Sequence, residues 1–543
     1  MSNKFNNKET RIFGPPGTGK TTYLARQIEL AAEKYGPENV IVASFTKAAA
    51  VELNMRRLSI PRDNMGTLHA LCYRAMGSPP IAEKHAAEFN EVYPQFAISE
   101  DTGNVFDEMA ADASYNTDGD EFLRQYNLQR AKCLPRDSMH PLVVKFAHDW
   151  ERWKTKNDYV DFTDMIYYTW QNKLPPPGEP RVGFFDESQD FSALELALVR
   201  QWANYLEYIL IAGDDDQCIY PHRGASPDAF LNPPVSVEQK RVLRQSYRLP
   251  RRIHAYAEKW IKQVKFRETK EYKPRDEEGQ VEAGYGLDLR QTEHIIETAD
   301  EYANAGKTIM ILASCKYMLI PLIAALRRHG IPFHNPYRPN KGDWNPLGNF
   351  FGSRKGTIST RERLLAFLNK PDNGTNFWSF DKLDMWLDMM KSTAVFKKDM
   401  KKEYEQARDR FGNFQYEGDP EFYKKIFTEI ALQRATERDL PWFKESLLAA
   451  RKKAIEYPLS VYRKRGIGAL SERPRITIGT IHSTKGGEHD IVMLFPDLSV
   501  AGFNEYRSQN RDPVIRTFYV GMTRAKETLL LCKPMSNLAV RYI

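Results

Sequence analysis

The sequence predicts an α/β fold with two parallel-sheet units, each interrupted by a mainly helical inserted segment. Short apolar runs separated by helical patterns predict the two sheets, because buried parallel strands are apolar on both faces. The runs form two groups along the chain: 10–13, 40–44, 182–185 and 208–212, followed by 308–313, 476–480, 490–495 and 528–532. Residues 75–155 and about 335–472 are charged and poor in strand signals, which predicts the helical insertions.

The length and composition are those of an ordinary globular protein with several domains. The 543 residues exceed what one hydrophobic core supports, and 27% of them are charged. The net charge of +7 is compatible with a polyanionic partner but does not identify one. The five cysteines are far apart, which argues against a zinc or iron–sulfur site and is typical of a reducing compartment. No apolar run approaches the roughly 18 residues of a membrane span, so we expect no membrane partner and a cytoplasmic location.

Residues 14–21 read Gly-Pro-Pro-Gly-Thr-Gly-Lys-Thr, the pattern of a phosphate-binding loop. The glycines let the backbone curl so that its N–H groups face a polyphosphate. Lys20 would reach the β- and γ-phosphates, and the Thr21 hydroxyl would hold Mg²⁺. A predicted strand before the loop and helical spacing after it complete the expected context, and the alternative is a chance glycine-rich turn. The candidate nucleotide contacts in this loop are Gly14, Pro15, Pro16, Gly17, Thr18, Gly19, Lys20, Thr21 and Thr22.

Acidic residues follow two of the predicted strands. Asp186 ends an apolar strand and would hold Mg²⁺, while Glu187 would orient and deprotonate the attacking water. The alternative is an acidic pair that only caps a strand. Three adjacent aspartates, 214–216, follow the next strand, and Gln217 offers a neutral amide that can sense a γ-phosphate through water. The alternative there is a generic acidic turn.

These motifs, in this order, resemble the UvrD/Rep/PcrA-like superfamily-one DNA helicases across nearly the whole chain. The matching segments after the phosphate loop are SFTKAAAVEL at 44–53, GTLHALCYR at 66–74, DFTDMI at 161–166, FFDESQD at 184–190, AGDDDQCIYPHRGA at 212–225, LRQSYRLP at 243–250, TIGTIHSTKGGEHDIVML at 477–494 and FYVGMTRAKETLLL at 518–531. The resemblance implies two RecA-like cores with ATP and Mg²⁺ in the cleft between them. It implies the following division of the chain: 1–74 and 155–245 for the first core, 75–154 for its helical insertion, 246–334 and 473–543 for the second core, and 335–472 for the second insertion.

The resemblance also implies roles for single residues. Arg248 and Arg524 would be arginine fingers from the second core, which complete the site when the cleft closes. Tyr247 would stack on the nucleotide base, and Glu488 would contact the sugar or couple the cores. The residues that would act in catalysis are Lys20, Asp186, Glu187, Gln217, Arg248 and Arg524.

The resemblance also implies a path for single-stranded DNA across both cores. Aromatic side chains can stack on bases there, and basic side chains can neutralise phosphates. The residues implied for this path are Phe45, Thr67, His69, Tyr220, His222, Arg223, Thr480 and His482. The expected function is an ATP-driven helicase that moves 3′→5′ on single-stranded DNA and unwinds duplexes in replication, repair or recombination. We expect a monomer on DNA, at junctions of single- and double-stranded DNA, with replication or repair proteins as possible partners.

Three other functions are compatible with the same motifs. The first is a translocase that displaces proteins from single-stranded DNA and unwinds weakly. The second is a protein that uses nucleotide only to switch its grip on DNA. The third is an RNA helicase, since stacking alone does not distinguish RNA from DNA.

The sequence departs from the family pattern at several positions. Asn6 and Asn7 do not reproduce the glutamine-containing segment that precedes the loop lysine in the family, so we expect a looser preference for ATP over GTP or dATP. His222 stands where the family has a tryptophan, and its smaller ring should stack less strongly. The compact insertions favour a phage or plasmid origin, with the host cytoplasm as the location in that case.

Overall fold

The computed structural model describes residues 8–45, 59–99, 117–338, 342–348, 358–369, 377–411 and 419–542. The chain divides into two compact units: unit 1 comprises Met1–Tyr285 and Glu488–Ile543, and unit 2 comprises Gly286–Gly487. Asn6, Asn7 and residues 46–53 of the second matching motif lie outside the described residues. Within the described part of the chain, every helix is too short or too polar to cross a membrane.

A parallel sheet forms the centre of unit 1. Its strands are β1 (Glu9–Phe13), β2 (Val40–Ser44), β3 (Met65–Thr67), β4 (Val182–Asp186), β5 (Tyr208–Gly213) and β6 (Lys240–Val242). Their order across the sheet is β3-β2-β4-β5-β1-β6, and all neighbouring strands pair in parallel. The four apolar runs of the first group are therefore confirmed as strands. The carboxyl ends of parallel strands meet at one edge of the sheet, and ligands bind there in open α/β folds.

The helices of this part of the chain cover both faces of the sheet and form the first insertion, except the last one, which packs elsewhere in unit 1. They are α1 (Lys20–Tyr35), α2 (Leu68–Ala75), α3 (Ala86–Val92), α4 (Asp118–Ala131), α5 (Pro141–Lys156), α6 (Phe162–Gln171), α7 (Ala193–Trp202), α8 (Pro227–Leu231) and α9 (Arg251–Ile261). The strand β7 (Gln280–Tyr285) ends this part of unit 1. Helices α3, α4 and α5 bury an aromatic core that contains Phe89, Phe146 and Trp150. A mainly helical first insertion is thus confirmed.

The side chains of β2 alternate between two hydrophobic cores. Val42 packs in the core beneath α1, whereas Ile41 and Ala43 pack in the core beneath α2, α6 and α7. Because successive side chains of a strand point to opposite faces, Ser44 at the end of β2 lies on the α1 face. The same alternation in β4 brings Asp186 to the α1 face, at the N-terminus of the helix that follows the phosphate loop.

Unit 2 has a smaller parallel sheet and the second helical insertion. Its strands β8 (Ile309–Ala313), β9 (Phe333–His334) and β10 (Ile476–Thr480) lie in the order β8-β10-β9. Its helices are α10 (Thr292–Asn304), α11 (Lys316–Arg328), α12 (Thr360–Leu368), α13 (Phe380–Leu387), α14 (Ser392–Val395), α15 (Met400–Phe411), α16 (Pro420–Ile426), α17 (Glu429–Thr436), α18 (Leu440–Ser446), α19 (Ala449–Arg465) and α20 (Gly468–Ser471). Phe367, Trp378 and Trp386 pack together among the helices between β9 and β10.

The C-terminal part of the chain completes unit 1. It contains β11 (His489–Leu494), α21 (Val500–Arg507), α22 (Asp512–Met522) and β12 (Ala525–Cys532). Strand β12 pairs in parallel with both β7 and β11. Helix α22 packs against α9, where the indole N–H of Trp260 donates to the carbonyl oxygen of Ile515 at 2.9 Å. All four apolar runs of the second group are therefore strands, as predicted.

A buried charge cluster joins the first insertion to α6. Arg130 of α4 donates to Asp161 at 2.7 Å and to Asp164 at 2.6 Å. Lys154 of α5 donates to Asp161 at 2.6 Å and also contacts Asp164. Burial favours the neutral acid, but Arg130 and Lys154 outweigh burial and hold the pKa of Asp161 below its usual range. The indole N–H of Trp150 also donates to Asp161, so this carboxylate connects the insertion to the start of α6.

Replacing Asp161 with asparagine should destabilise the protein, because Arg130 and Lys154 would remain buried with one carboxylate fewer. Breaking a buried pair in this way costs about 3–5 kcal/mol. The free energy of unfolding, measured by urea titration at neutral pH, checks this value. Arg136→Gln is the control, because the Arg136 side chain is 60% exposed and its pair with Glu151 is worth less than about 1 kcal/mol. Equal losses in the two variants would contradict the role given to Asp161.

Candidate nucleotide-binding site

The phosphate loop leaves β1 at Phe13 and enters α1 at Lys20, as the sequence predicts. The N–H of Gly14 donates to the carbonyl oxygen of Gly213 at 2.9 Å, which ties the loop to the end of β5. Gly17 and Gly19 both have φ of 73°, a left-handed conformation that glycine adopts without steric cost. A Cβ atom on Gly17 would clash with Arg248 Cβ and would lie 2.8 Å from Ser246 Oγ. The loop can therefore keep this curvature only with glycine at position 17.

Lys20 is held by the two predicted acidic residues. Its Nζ donates to Asp186 Oδ1 at 2.6 Å and also forms an ion pair with Glu187. Burial alone would lower the pKa of Lys20, but attraction by the two carboxylates outweighs burial and raises it. Lys20 therefore stays protonated at the carboxyl edge of the sheet. The structure brings together the loop lysine, the strand-end aspartate and the candidate general base.

Glu187 has a constrained backbone and side chain. Its φ of 52° is in the left-handed region, which is unfavourable for a residue with a Cβ and is often found at functional sites. Its N–H donates to Asp186 Oδ1 at 2.9 Å, and its Oε2 accepts from Gln189 Nε2 at 2.6 Å. Gln189 is fully buried, and its Oε1 accepts from the N–H of Asp214 at 3.0 Å. Gln189 thus links the general-base candidate to the acidic turn, a role that sequence analysis missed.

The three aspartates after β5 are neutralised by a buried lysine and a partly buried arginine. Lys270 lies 2.9 Å from Asp214 and 2.9 Å from Asp216, and it also pairs with Asp215. Arg267 donates twice to Asp216, at 2.9 and 2.6 Å. The aspartates and Lys270 are nearly inaccessible to solvent, so these charges depend on one another. Sequence analysis did not assign the two cations, because they lie in a charged stretch without a recognisable motif.

Gln217 connects this acidic turn to Arg524. Its Nε2 donates to Asp214 Oδ2 at 2.7 Å, and its Oε1 accepts from Arg524 Nη2 at 3.0 Å. Arg524 follows α22 and is 2% exposed, with its Nε donating to the carbonyl oxygen of Val520 at 2.9 Å. The predicted γ-phosphate sensor and one predicted arginine finger are therefore in direct contact.

Residues 246–248 form a second boundary of the phosphate loop. The Ser246 hydroxyl is buried and donates to the carbonyl oxygen of Pro16 at 2.8 Å, a contact that sequence analysis did not anticipate. The N–H of Tyr247 donates to the carbonyl oxygen of Gly17 at 2.8 Å, and its side chain is 74% exposed. This exposed ring beside the loop is free to stack on a nucleotide base.

Arg248 follows directly and is paired with an acidic residue. Its Nε donates to Glu488 Oε2 at 2.6 Å, and its Nη1 donates to the carbonyl oxygen of Thr523 at 3.4 Å. Arg248 therefore contacts both Glu488 and Thr523, the residue that directly precedes Arg524.

The oxygen atoms beside Lys20 fit a magnesium ion that is shared with phosphates. Mg²⁺ keeps several waters and binds through one or two carboxylates together with substrate phosphates, rather than in an all-protein cage. No cluster of three or more histidine, cysteine or acidic side chains suited to a metal exists among the described residues, so such a cage is absent there. Asp186 supplies a buried carboxylate, and Thr21 lies in the first turn of α1.

Five of the predicted DNA contacts lie near the carboxyl edge of the sheet in unit 1. Phe45 and Tyr220 have ring centroids 5.3 Å apart, and the Arg223 guanidinium lies 4.6 Å from the Phe45 centroid. The His222 ring centroid is 5.9 Å from that of Tyr220. Tyr220 is only 1% exposed, so Phe45 is the more accessible ring of this group. His69 lies 3.7 Å from Glu195.

Two of the other predicted DNA contacts, Thr67 and Thr480, accept hydrogen bonds from nearby backbone N–H groups. Thr67 caps α2, accepting from the N–H of Ala70 at 3.3 Å. Thr480 and His482 lie in unit 2, where the Thr480 hydroxyl accepts from the N–H of Ser483 at 3.1 Å at the end of β10. Their contact with DNA stays a prediction, as do the predicted domain boundaries.

Family models match both parts of the chain that carry these residues. Residues 2–236 match the UvrD/REP helicase N-terminal domain, and residues 462–535 match the UvrD-like helicase C-terminal domain. The chain belongs to the UvrD-like helicases. This membership, with the two parallel sheets and the helical insertions, confirms the predicted class of two RecA-like cores in an α/β protein.

Several curated helicases of this family are similar to the chain. A probable DNA helicase II homolog of Mycoplasma capricolum is 26% identical over 298 residues, which are 49% of this chain and 40% of the relative. ATP-dependent DNA helicase PcrA of Staphylococcus epidermidis is 26% identical over 288 residues, 48% of this chain and 38% of the relative. The putative ATP-dependent DNA helicase YjcD of Bacillus subtilis is 24% identical over 244 residues, 41% of this chain and 32% of the relative. The chain thus spans less than half the length of each of these helicases.

Gly17→Ala should weaken binding of ATP to the protein by about tenfold or more. The new Cβ would clash with Arg248 and crowd Ser246, and overpacking of this kind costs about 1–3 kcal/mol. Titration of a fluorescent ATP analogue measures the change.

Gly77→Ala is the matched control for this experiment. Gly77 has a φ of 75°, close to that of Gly17, but a Cβ there would meet no atom within 4 Å. It should therefore lose about 1–2 kcal/mol of stability from backbone strain and keep its nucleotide affinity. If both variants bound nucleotide as the unchanged protein does, the contact between the loop and residues 246–248 would have no role in binding.

Proposed function

We propose that the protein is an ATP-driven, Mg²⁺-dependent motor that moves 3′→5′ on single-stranded DNA and unwinds duplex DNA. The observation that carries this proposal is the contact between Gln217 and Arg524. Hydrogen bonds through Asp214 and Gln189 link this contact to Glu187, the ion-pair partner of Lys20. The contact joins a phosphate sensor to an arginine finger at the edge of the phosphate loop. ATP dependence and a DNA substrate follow from the family and from the names of its members.

Lys20 and Glu187 would change partners when ATP binds. Without nucleotide, Lys20 neutralises Asp186 and Glu187. The β- and γ-phosphates would attract Lys20 away from the carboxylates, and Glu187 would then be free to accept a proton from the attacking water. Gln189 would keep Glu187 oriented through its 2.6 Å hydrogen bond. The general base thus becomes available only when its substrate is present.

The arginine side chains would stabilise the charge that develops on the transferred phosphoryl group. Arg524 would exchange its hydrogen bond to Gln217 for a phosphate oxygen, and Arg248 would do the same with its bond to Glu488. Thr21 and Asp186 would hold Mg²⁺, which when bound neutralises charge on the β- and γ-phosphates.

Binding to DNA would use the group formed by Phe45, Tyr220, His222 and Arg223. One partly accessible aromatic ring beside a guanidinium is suited to a base and its neighbouring phosphate, without preference for sequence. The 3′→5′ direction, action as a monomer at junctions and a role in replication, repair or recombination rest on the resemblance to the family.

Unwinding of duplexes with either a 3′ or a 5′ single-stranded tail tests the motor and its direction. We expect ATP-dependent unwinding of the 3′-tailed duplex and none with Lys20→Ala, which removes the phosphate-binding cation. Preference for the 5′ tail would contradict the proposed direction, and unwinding that survives Lys20→Ala would contradict the motor. Displacement of a protein bound to single-stranded DNA, without unwinding, would instead favour the translocase alternative.

Arg524→Ala should lower DNA-stimulated ATP turnover by on the order of 10³-fold, because an arginine finger acts mainly on the transition state. Steady-state ATPase measurements at saturating single-stranded DNA check this value. Arg252→Ala is the control, since Arg252 is 66% exposed and pairs only with Glu278 among the described residues. An equal, small effect of both substitutions would remove Arg524 from the proposed mechanism.

A further inference from the structure

Ser44 carries a buried hydroxyl that has no hydrogen-bond partner among the residues that the structure describes. The residue is 1% exposed, and its Oγ is inaccessible to solvent. Leaving such a group unpaired costs about 1–3 kcal/mol, and most buried hydroxyls in proteins are paired with protein or water. A group that binds together with the substrate could satisfy this hydroxyl by forming a hydrogen bond with it.

The position of Ser44 in the sheet indicates what this partner is. Ser44 is the last residue of β2, and its Cα is the register partner of Asp186 on β4. Side chains at paired positions of parallel strands point to the same face, and the alternation along both strands makes this the α1 face. Lys20 at the first turn of α1 donates to Asp186 on this face. Ser44 therefore lies beside the carboxylate at which Mg²⁺ is proposed to bind.

In this position a serine hydroxyl is better suited to a hydrogen bond with a metal-bound water than to direct coordination of the metal. A hydroxyl has one donor and two acceptor lone pairs, so it can accept a hydrogen bond from a water that is polarised by a cation. Mg²⁺ usually keeps several of its waters in nucleotide sites, and each needs an acceptor. Outer-shell groups that orient metal ligands typically contribute a factor of roughly 10–100 to metal affinity.

We propose that Ser44 is a positioning residue that accepts a hydrogen bond from a water of the nucleotide-bound Mg²⁺. The proposal rests on the proposed function, because it needs Mg²⁺ and a nucleotide at Lys20, Thr21 and Asp186. Ser44 acts through this water and orients the metal relative to Asp186. Its hydroxyl has no hydrogen-bond partner among the described residues of the ligand-free protein, and binding of Mg²⁺ with nucleotide satisfies it.

Replacing Ser44 with alanine should change the Mg²⁺ dependence of nucleotide binding without lowering the unfolding temperature of the ligand-free protein. The ligand-free protein should unfold at a temperature no lower than that of the unchanged protein, because the hydroxyl that is removed makes no hydrogen bond to any residue that the structure describes. Binding of the β,γ-imido analogue of ATP in EDTA should be unchanged. The Mg²⁺ concentration that gives half of the Mg²⁺-dependent gain in analogue affinity should rise about tenfold or more.

Ser44→Thr and Thr169→Val are the control variants. Ser44→Thr keeps the hydroxyl in a strand that accepts β-branched residues, and it should restore the Mg²⁺ midpoint to within about threefold. Thr169 lies on α6, over the opposite face of the sheet, and its hydroxyl donates to the carbonyl oxygen of Met165 at 2.6 Å. Thr169→Val should therefore lower the unfolding temperature and leave the Mg²⁺ midpoint unchanged.

The experiment separates failure of this inference from failure of the proposed function. If the unchanged protein binds the analogue with no dependence on Mg²⁺, the proposed Mg²⁺-dependent function fails. If the unchanged protein depends on Mg²⁺ and Ser44→Ala has the same Mg²⁺ midpoint, the role of Ser44 is overturned while the function stands. A lower unfolding temperature for ligand-free Ser44→Ala with an unchanged midpoint would also overturn it, since the hydroxyl would then have a structural partner.

Discussion

The ion pairs of Lys20 with Asp186 and Glu187 are the interaction on which the candidate site depends. They exist because β1 and β4 belong to one parallel sheet, so that the loop after β1 and the carboxylates after β4 meet at the same edge. A buried ammonium needs such partners, since an unpaired charge in this position would be expensive. In the proposed function, phosphates would take the place of the carboxylates around Lys20. The loop sequence supplies Lys20, the strand order brings two carboxylates close to it, and these carboxylates neutralise the charge on Lys20 Nζ.

Charge compensation also explains features that the sequence indicates only in part. The phosphate loop, Asp186, Glu187 and Gln217 are predictable because each follows an apolar strand at a motif spacing. Gln189, Ser246 and Lys270 could not be predicted in this way, since their roles depend on contacts between segments that are distant in sequence. Three adjacent aspartates indicate that cations must lie nearby, but not which ones. Which cations pair with the aspartates depends on the path by which the segment around Lys270 reaches the end of β5.

The fold was predictable to a similar extent and for similar reasons. Apolar runs of about five residues predict the central strands, because burial on both faces requires continuous apolar sequence. The strands β3 and β6 are three residues long and lie at the edges of their sheet, where burial imposes little pattern. Strand β7 is partly exposed and is defined by its pairing with β12. Edge strands of this kind depend on their neighbours and leave a weak signal in the sequence.

Two hydrogen bonds join the acidic turn to α22 and to Arg524, the predicted arginine finger. Arg516 donates to the carbonyl oxygen of Asp215 at 2.9 Å, and Arg524 donates to Gln217 at 3.0 Å. Both arginines are almost fully buried, and they lie at the middle and just beyond the end of one helix. A helix moves as a rigid element, so a shift of Gln217 toward a γ-phosphate cannot leave α22 unaffected unless one of these bonds breaks. In the proposed function the acidic turn would therefore couple phosphate sensing to the position of Arg524, and Lys270 pairs with all three carboxylates of that turn.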